Sequence, residues 1–174
     1  MKKLLLCMLS ALALSINVNA QSDYKMMAGA KGGIMGPACT NCGLLYGGGV
    51  TFGYAVSQRW VPTIEIGSFM DKDEFGTSVY KTSALVVAVS GDFYPKEAYK
   101  GFYISPEFSF INLKTKLDGE IFGTALNNVT AGLNLGWAIS FGERIEFVPH
   151  LGYSTWFENS KGRITMGTKL GFKF

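Results

Sequence analysis

Few side chains in this 174-residue chain could perform chemistry, and the only histidine, His150, is the first to consider. Nucleophilic catalysis needs a hydroxyl or thiol beside a base such as histidine, with a third group that orients the base. His150 is instead followed by Leu151 and Gly152, and nothing nearby supplies a nucleophile. We therefore expect no catalytic residues and no enzymatic activity.

The second candidate site is the cysteine pair Cys39 and Cys42 in "GPACTNCG". A zinc site would need about four ligands, and the chain has no second cysteine or histidine pair to complete one. A redox site would be expected in a thioredoxin-like βαβ unit, which the sequence pattern does not contain. We expect a disulfide within this short loop, with two free thiols as the alternative. The sequence thus predicts no metal site and no cofactor.

The elements that position these residues must be strands, because apolar and polar residues alternate with a period of two along most of the chain. Turn-forming residues divide the alternation into eight segments. The segments are 24–35, 43–56, 60–70, 79–93, 101–113, 128–141, 145–157 and 163–174. The last segment continues to the final residue, so the chain ends on a strand with one apolar face.

The lengths of the segments and of their connections favour a membrane barrel. Strands of about 10–14 residues are long for a soluble sandwich but suit a tilted span of a bilayer. The connections alternate between two kinds along the chain. One set is mostly short and consists of "SQR", "YPKEAYK" and "GER". The other set is mostly longer or more polar and consists of "GPACTNC", "DKDEFGTS", "KTKLDGEIFGT" and "ENSKG". Short turns on one rim and longer loops on the other are typical of outer-membrane barrels, with the turns in the periplasm. We predict an all-β fold, an eight-stranded antiparallel up-and-down transmembrane β-barrel.

Aromatic residues cluster near the predicted strand ends, as in the interfacial girdles of such barrels. The predicted turn-end girdle contains Trp60, Phe93, Tyr94, Phe102, Trp137, Phe141, Phe147, Phe172 and Phe174. The sparser girdle at the other end contains Tyr46, Tyr80, Phe110, Tyr153 and Phe157. Pro62, Pro106 and Pro149 fall inside three segments, where each removes a hydrogen-bond donor from the ladder. The sequence defines the local register least well at these prolines.

Five ionisable residues on the polar faces form the main candidate site. If apolar residues face lipid, the polar faces line a lumen that eight strands make just wide enough for side chains to fill. Counted from the turn end, five residues on five strands reach a similar depth, namely Lys31, Glu65, Glu107, His150 and Lys169. We expect a structural charge network, because buried charges need partners to compensate their desolvation. The functional alternative is a gated ion path or an acid/base centre.

The first 20 residues indicate a secretory signal peptide. Two lysines precede an apolar run and the small-residue pattern Val18-Asn19-Ala20, which predicts cleavage before Gln21. An uncleaved anchor helix is the alternative. The predicted organisation is a signal peptide at 1–20 and one barrel domain at 21–174. Loss of Lys2 and Lys3 leaves 14 basic against 13 acidic residues, a net charge of +1, so charge gives no support to a nucleic-acid partner.

Taken together, the segments, the signal peptide and the terminal "GFKF" resemble the small eight-stranded OmpA/OmpX-type outer-membrane barrels of Gram-negative bacteria. The resemblance implies location in the cell outer membrane. It also implies that the last strand, with Leu170, Phe172 and Phe174 at alternate positions, is recognised by the barrel-assembly machinery. The Ala20-Gln21 cleavage site is similar to that of Bacteroidetes secreted proteins. The family is functionally mixed and fixes no activity.

Two enzyme types occur on the scaffold that this chain resembles, lipid A deacylase and lipid A palmitoyltransferase. The first would need a histidine and a serine two residues apart on the lipid-facing surface, whereas His150 points inward by parity. The second would need a histidine near the outer loops, which contain none. A lipid A-modifying enzyme is therefore the least favoured alternative.

We expect a structural or surface-interaction protein with a side-chain-filled lumen. Its expected partners are outer-membrane lipid, lipopolysaccharide and the barrel-assembly machinery, with no nucleic acid, and it is expected to be a monomer. The alternative function is a narrow, porin-like channel or transporter for small or hydrophobic molecules. The structural rival is a soluble lipocalin-like barrel whose apolar residues point inward.

Overall fold

The computed structural model describes residues 25–36, 43–75, 78–121, 125–157 and 162–174, and these residues form nine strands. The predicted signal peptide and the pair Cys39 and Cys42 lie outside them. The strands are β1 (Met26–Gly36), β2 (Leu45–Tyr54), β3 (Trp60–Phe75), β4 (Ser78–Phe93), β5 (Gly101–Leu117), β6 (Glu120–Ile121), β7 (Leu126–Phe141), β8 (Ile145–Trp156) and β9 (Gly162–Lys173). The described residues include no helix long and apolar enough to cross a membrane.

Eight of these strands close into an antiparallel barrel in which sequence neighbours pair, apart from the two-residue β6 that extends the end of β5. Closure occurs between β1 and β9, where Ala28 lies opposite Phe172. The amides of Met26 and Phe174 each donate to the other's carbonyl, at 3.0 and 2.9 Å. The prediction of an eight-stranded up-and-down barrel is confirmed. The final aromatic residue is held because the last strand completes the sheet.

Apolar side chains cover the outside of the barrel. Along β4, Leu85 and Val87 are exposed, whereas Val86 and Ala88 are buried. Other strands expose large apolar residues in the same way, among them Val50 on β2, Ile64 on β3, Phe110 on β5, Leu133 on β7, Leu151 on β8 and Leu170 on β9. The lipocalin-like alternative, with the large apolar faces turned inward, does not describe this barrel.

The strands at the loop end are longer than predicted. β3 continues to Phe75 and β5 to Leu117, so most of the predicted loops "DKDEFGTS" and "KTKLDGEIFGT" is sheet. Polar cross-strand pairs sustain these extensions, since the Thr82 and Thr115 hydroxyls lie 3.4 Å apart. The sequence prediction ended each strand where the alternation of apolar and polar residues ends, which is where the apolar surface ends. Strand pairing continues further, because polar side chains hydrogen-bond across the ladder.

The three prolines inside strands sit at different places in the ladders. Pro62 lies just beyond the end of the β2–β3 ladder, whose last pair is Gly53 with Thr63. Pro106 coincides with a gap in the β4–β5 ladder, and Pro149 with a gap in the β7–β8 ladder. Each gap spans two residue pairs without changing the register, which is the expected effect of a missing N–H donor.

The gap at Pro106 is closed on both sides of the wall. Inside, the Ser105 hydroxyl donates to the Asp92 carboxylate at 2.5 Å. Outside, the Trp60 ring packs over Gly91, where an added Cβ would lie 3.4 Å from the ring. Side chains thus replace the contact that the backbone loses.

The gap at Pro149 has no comparable closure. The register places Ala138 opposite Val148 in this gap, and these apolar side chains cannot form a hydrogen bond across it. Outside lies an apolar groove of about 690 Å³, whose lining includes Pro149, Leu151 and Trp137. The barrel wall is therefore uneven, with one proline gap closed and the other open to a groove.

Candidate functional site

The lumen contains an apolar layer at each end and a polar layer between them. The layer at the loop end consists of Met35, Leu45, Phe69, Ala84, Val86, Ile111, Leu113 and Trp156. Small residues on β4 leave room there for the indole of Trp156, which is only 4% exposed. This layer closes the loop end of the lumen with packed side chains.

The layer at the turn end depends on the connection 94–100, which folds into the mouth of the barrel. Its Tyr94 and Tyr99 rings lie 6.1 Å apart, and Tyr94 also contacts Tyr103 of β5 at 5.2 Å. The predicted placement of Tyr94 in the turn-end girdle is wrong, because its side chain is completely buried. Other members of that predicted girdle, such as Trp137 and Phe141, are exposed.

The phenol groups of Tyr94 and Tyr99 stay protonated, so this connection adds no phenolate charge to the mouth of the barrel. Burial raises the pKa of Tyr94 well above its usual value, and the Asp92 carboxylate raises it further. Burial and then the Glu146 carboxylate raise the pKa of Tyr99 in the same direction. Tyr99 also has a positive φ of 63°, which is unusual for a bulky residue and indicates that packing in the mouth fixes this turn.

The polar layer contains three ion pairs that connect different strands. Lys31 on β1 lies 2.8 Å from Glu65 on β3. Arg163 on β9 lies 3.5 Å from Glu107 on β5, and Lys169 on β9 lies 3.9 Å from Asp92 on β4. Three cations therefore face three carboxylates, so the layer is balanced in charge.

All five residues of the predicted network line the same lumen cavity, but the partners differ from those expected. Lys169 was expected to meet Glu65, Glu107 and His150, whereas its ion-pair partner is Asp92. The Asp92 carboxylate also accepts hydrogen bonds from Thr63 and Ser90, both at 3.2 Å. The sequence prediction omitted Asp92 because a count of residues from the turn ignores the tilt and stagger of barrel strands.

Arg163 is the second important omission. Its guanidinium is buried and donates to Ser154 at 2.9 Å and to Ser109 at 3.4 Å, while facing Glu107. Arg163 begins near the loop end of β9, and its long side chain brings the charge to a carboxylate at a deeper level. Its inward parity was the available sequence signal, since it shares the polar face of Lys169.

A separate buried ion pair lies near the turn end. Lys173 is the second-last residue of the chain, yet it is only 4% exposed and lies 3.5 Å from the fully buried Glu146. Its ammonium also lies 3.4 Å from the Ser140 hydroxyl. The connection 94–100 covers this part of the mouth, which explains why a residue next to the chain end is buried.

His150 is 8% exposed, and its Nε2 atom has no hydrogen-bond partner among the described residues. It lines both the lumen cavity and the groove at the Pro149 gap. The described part of the chain contains no group of three or more His, Cys, Asp or Glu residues suited to hold a metal ion. Within the described ranges, no hydroxyl or thiol is therefore hydrogen-bonded to the His150 Nε2 atom.

The free space in the lumen is small. The cavity within the polar layer measures about 30 Å³, and a second one towards the loop end about 20 Å³. Each has room for about one water molecule. The polar layer therefore consists mainly of paired side chains.

Replacing Lys169 with methionine should lower the free energy of unfolding by about 1–3 kcal/mol, because a buried carboxylate loses its cation. The affected carboxylate is that of Asp92, and its hydroxyl donors should limit the loss. Urea unfolding in detergent micelles measures the effect. The control is Lys100→Met, which removes an exposed lysine paired with Glu97 at 2.9 Å. Equal unfolding midpoints for the two variants would contradict the assignment.

The described residues form a closed eight-stranded barrel with an apolar exterior and a charge-balanced interior, and this is the architecture of the small eight-stranded barrels known from outer membranes. No protein-family model matches the chain, and no curated protein matches it in sequence. Solved structures of this class do match its fold.

Three of these structures come from different bacteria. The N-terminal β-barrel domain of Pseudomonas aeruginosa OprF is 17% identical, with a TM-score of 0.60 over 88% of this chain and 100% of that one. Ail, the attachment invasion locus protein of Yersinia pestis, in complex with the heparin analogue sucrose octasulfate, is 11% identical, with a TM-score of 0.61 over 86% and 97%. Neisserial surface protein A is 11% identical, with a TM-score of 0.61 over 88% and 98%. At these identities the likeness shows the fold, and it gives no support to the Bacteroidetes resemblance.

Proposed function

We propose that the chain is an integral outer-membrane barrel of a Gram-negative bacterium with a structural or surface-interaction role. The observation that carries this proposal is the apolar exterior of a closed sheet. Such a surface is unfavourable in water, and a closed barrel leaves no unpaired edge in lipid. In this orientation the turns 57–59, 94–100 and 142–144 and both barrel termini face the periplasm.

The tail supports insertion by the barrel-assembly machinery. Leu170, Phe172 and Phe174 are all exposed on the outer face of the closing strand. A machine that recognises the last strand would find these side chains on one face of β9 before β9 pairs with β1. The chain would then act as a monomer, because closure leaves no edge for a second copy.

The packed interior favours a structural role over conduction or catalysis. Two apolar layers enclose the polar layer, and its cavities have room for about one water each. The lone histidine is buried without an oriented nucleophile. We therefore favour the plugged structural barrel over the channel and over the lipid A-modifying enzyme.

An arginine in the middle of the apolar exterior tests membrane insertion. Val89 is exposed on β4 between Ile64 and Phe108, so Val89→Arg should destabilise the barrel by about 2–4 kcal/mol in bilayers. Val79→Arg is the control, because Val79 lies on the same face of β4 as Val89 but at the loop end of the strand, beyond Lys81. Heat-dependent gel migration after urea treatment measures the folded fraction. Extraction without detergent, or equal stability of the two variants, would contradict the proposal.

A further inference from the structure

The apolar groove at the Pro149 gap has a floor of short residues on the outer face of the barrel. Pro149 on β8 lies opposite Thr168 on β9, and Thr168 lies opposite Gly32 on β1. The next outward residues towards the loop end are larger and line the groove, namely Leu151, Met166 and Ile34. The three short residues therefore form a trough about 10 Å long, which we call the Pro149 trough.

Aromatic rings flank one end of the Pro149 trough. The register places Trp137 of β7 opposite Pro149, and Trp137 lies opposite Phe102 of β5 in the next ladder. Both aromatic side chains are exposed on the outside and line the groove. The groove volume of about 690 Å³ falls within the range of about 300–1,000 Å³ that is usual for small-molecule sites. The groove thus combines an aromatic end with room for a small molecule.

The proline also leaves one backbone carbonyl without its ladder donor. The β8–β9 ladder is intact at the pair Pro149/Thr168, so the backbone groups of Pro149 point towards β7 instead. The β7–β8 ladder lacks the pairs Trp137/Pro149 and Ala138/Val148. Both pairs depend on a bond from the N–H of residue 149 to the Trp137 carbonyl. Because proline has no N–H, this carbonyl loses its donor.

The unpaired carbonyl lies at the middle of the apolar surface. Pro149 is four residues from Ile145 and four from Tyr153, the first and last large apolar residues that β8 exposes. In an inserted barrel this level is hydrocarbon, where an unpaired backbone group is strongly unfavourable. His150 also lines the groove, and its Nε2 atom has no partner among the described residues. The partner that fits this gap is a hydrogen-bond donor that dissolves in the membrane.

We propose that the Pro149 trough binds a small aromatic molecule with one hydroxyl group, of the phenol class, which arrives through the membrane. Its ring packs beside Trp137 and Phe102, and its hydroxyl donates to the Trp137 carbonyl. A plain hydrocarbon chain fits the apolar walls but brings no donor. The lumen cavity of about 30 Å³ has no room for such a ring, so the molecule binds on the outside of the wall. The proposal goes beyond a structural role and rests on the proposed function only for the route of arrival.

Two matched probes separate hydrogen bonding from apolar contact. 2-Naphthol and 2-methoxynaphthalene share a ring system, but only 2-naphthol has a donor. The variant Trp60→Phe/Trp156→Phe leaves Trp137 as the only tryptophan, and quenching of its fluorescence by the naphthyl ring measures binding in micelles. In this parent, 2-naphthol should bind about tenfold more tightly than 2-methoxynaphthalene, because only 2-naphthol can pair with the carbonyl.

Variants at the two proline gaps test the carbonyl directly. Pro149→Ala supplies the missing N–H, so it should abolish the preference for 2-naphthol and leave the binding of 2-methoxynaphthalene nearly unchanged. Pro106→Ala is the matched control, because it supplies an N–H at the gap that side chains already close, and it should keep the tenfold preference.

Gly32→Val tests the trough itself. A Cβ at Gly32 would meet only the Gly47 carbonyl oxygen, at 3.9 Å, so the barrel should tolerate the substitution. The added side chain occupies the floor of the trough and should weaken the binding of both probes several-fold.

Three results would overturn the proposal. These are equal affinities of the two probes in the parent, which would indicate a plain hydrocarbon occupant, a preference that persists in Pro149→Ala, and an equal loss of preference in Pro106→Ala. Failure of membrane insertion is read separately from the Val89→Arg experiment, so the two proposals can fail independently.

Discussion

Replacing Arg163 with methionine should lower the free energy of unfolding by about 3–5 kcal/mol, since removal of one partner leaves a buried charge without compensation. The side chain is 2% exposed and contacts Glu107 and Ser109 on β5 and Ser154 on β8. Methionine retains much of the packing of the arginine stem, so most of the loss should come from the charge. Equilibrium urea unfolding in micelles, followed by heat-dependent gel migration, measures the change.

The double variant Arg163→Met/Glu107→Gln separates charge from packing. Removing both charges should recover a large part of the lost stability, because neither partner then needs a counter-ion. The Asn134 amide, which lies 2.7 Å from the Glu107 carboxylate, remains available to the new glutamine. If the double variant is no more stable than Arg163→Met, the pair does not act as assigned.

The second large effect is expected in the apolar layer at the loop end. There Trp156→Ala should lower the free energy of unfolding by about 3–5 kcal/mol, because it removes buried apolar surface and leaves a cavity. Trp156 lies at the end of β8 and packs with Leu45, Phe69 and Ile111. Its removal would open the layer that closes the lumen at the loop end. The same urea experiment measures the loss.

Trp156→Phe is the matched control. The indole Nε1 has no hydrogen-bond partner among the described residues, so phenylalanine keeps an aromatic ring and removes a buried unpaired donor. This variant should lose far less stability than the alanine variant. Equal losses would show that ring burial does not determine the contribution of this residue.

The sequence predicts which side chains face outward and which face the lumen, because the alternation of apolar and polar residues with a period of two determines this. Leu85 and Val87 could be assigned outward, and Lys31 and Glu65 inward, since a period of two leaves only two faces. The number of barrel strands follows from the same signal, because each alternating run is bounded by turn-forming residues. Neither inference requires knowledge of contacts between strands.

The ion-pair partners were not predictable, because they depend on how neighbouring strands are shifted relative to one another. Lys169 and Asp92 meet across the lumen although they lie on strands that are not adjacent. Strand tilt moves each residue to a level that a count from the turn does not give. The burial of Tyr94 was missed for a related reason, since an aromatic residue at a strand end suits both an interfacial girdle and a plugged mouth.

The two proline gaps also give the barrel a mechanical consequence. A closed sheet without ladder gaps would resist opening about equally at every seam. Here the Pro106 gap is clamped by the Ser105 and Asp92 side chains, whereas the Pro149 gap faces an apolar groove. We therefore expect the β7–β8 seam beside His150 to open more readily than the β4–β5 seam.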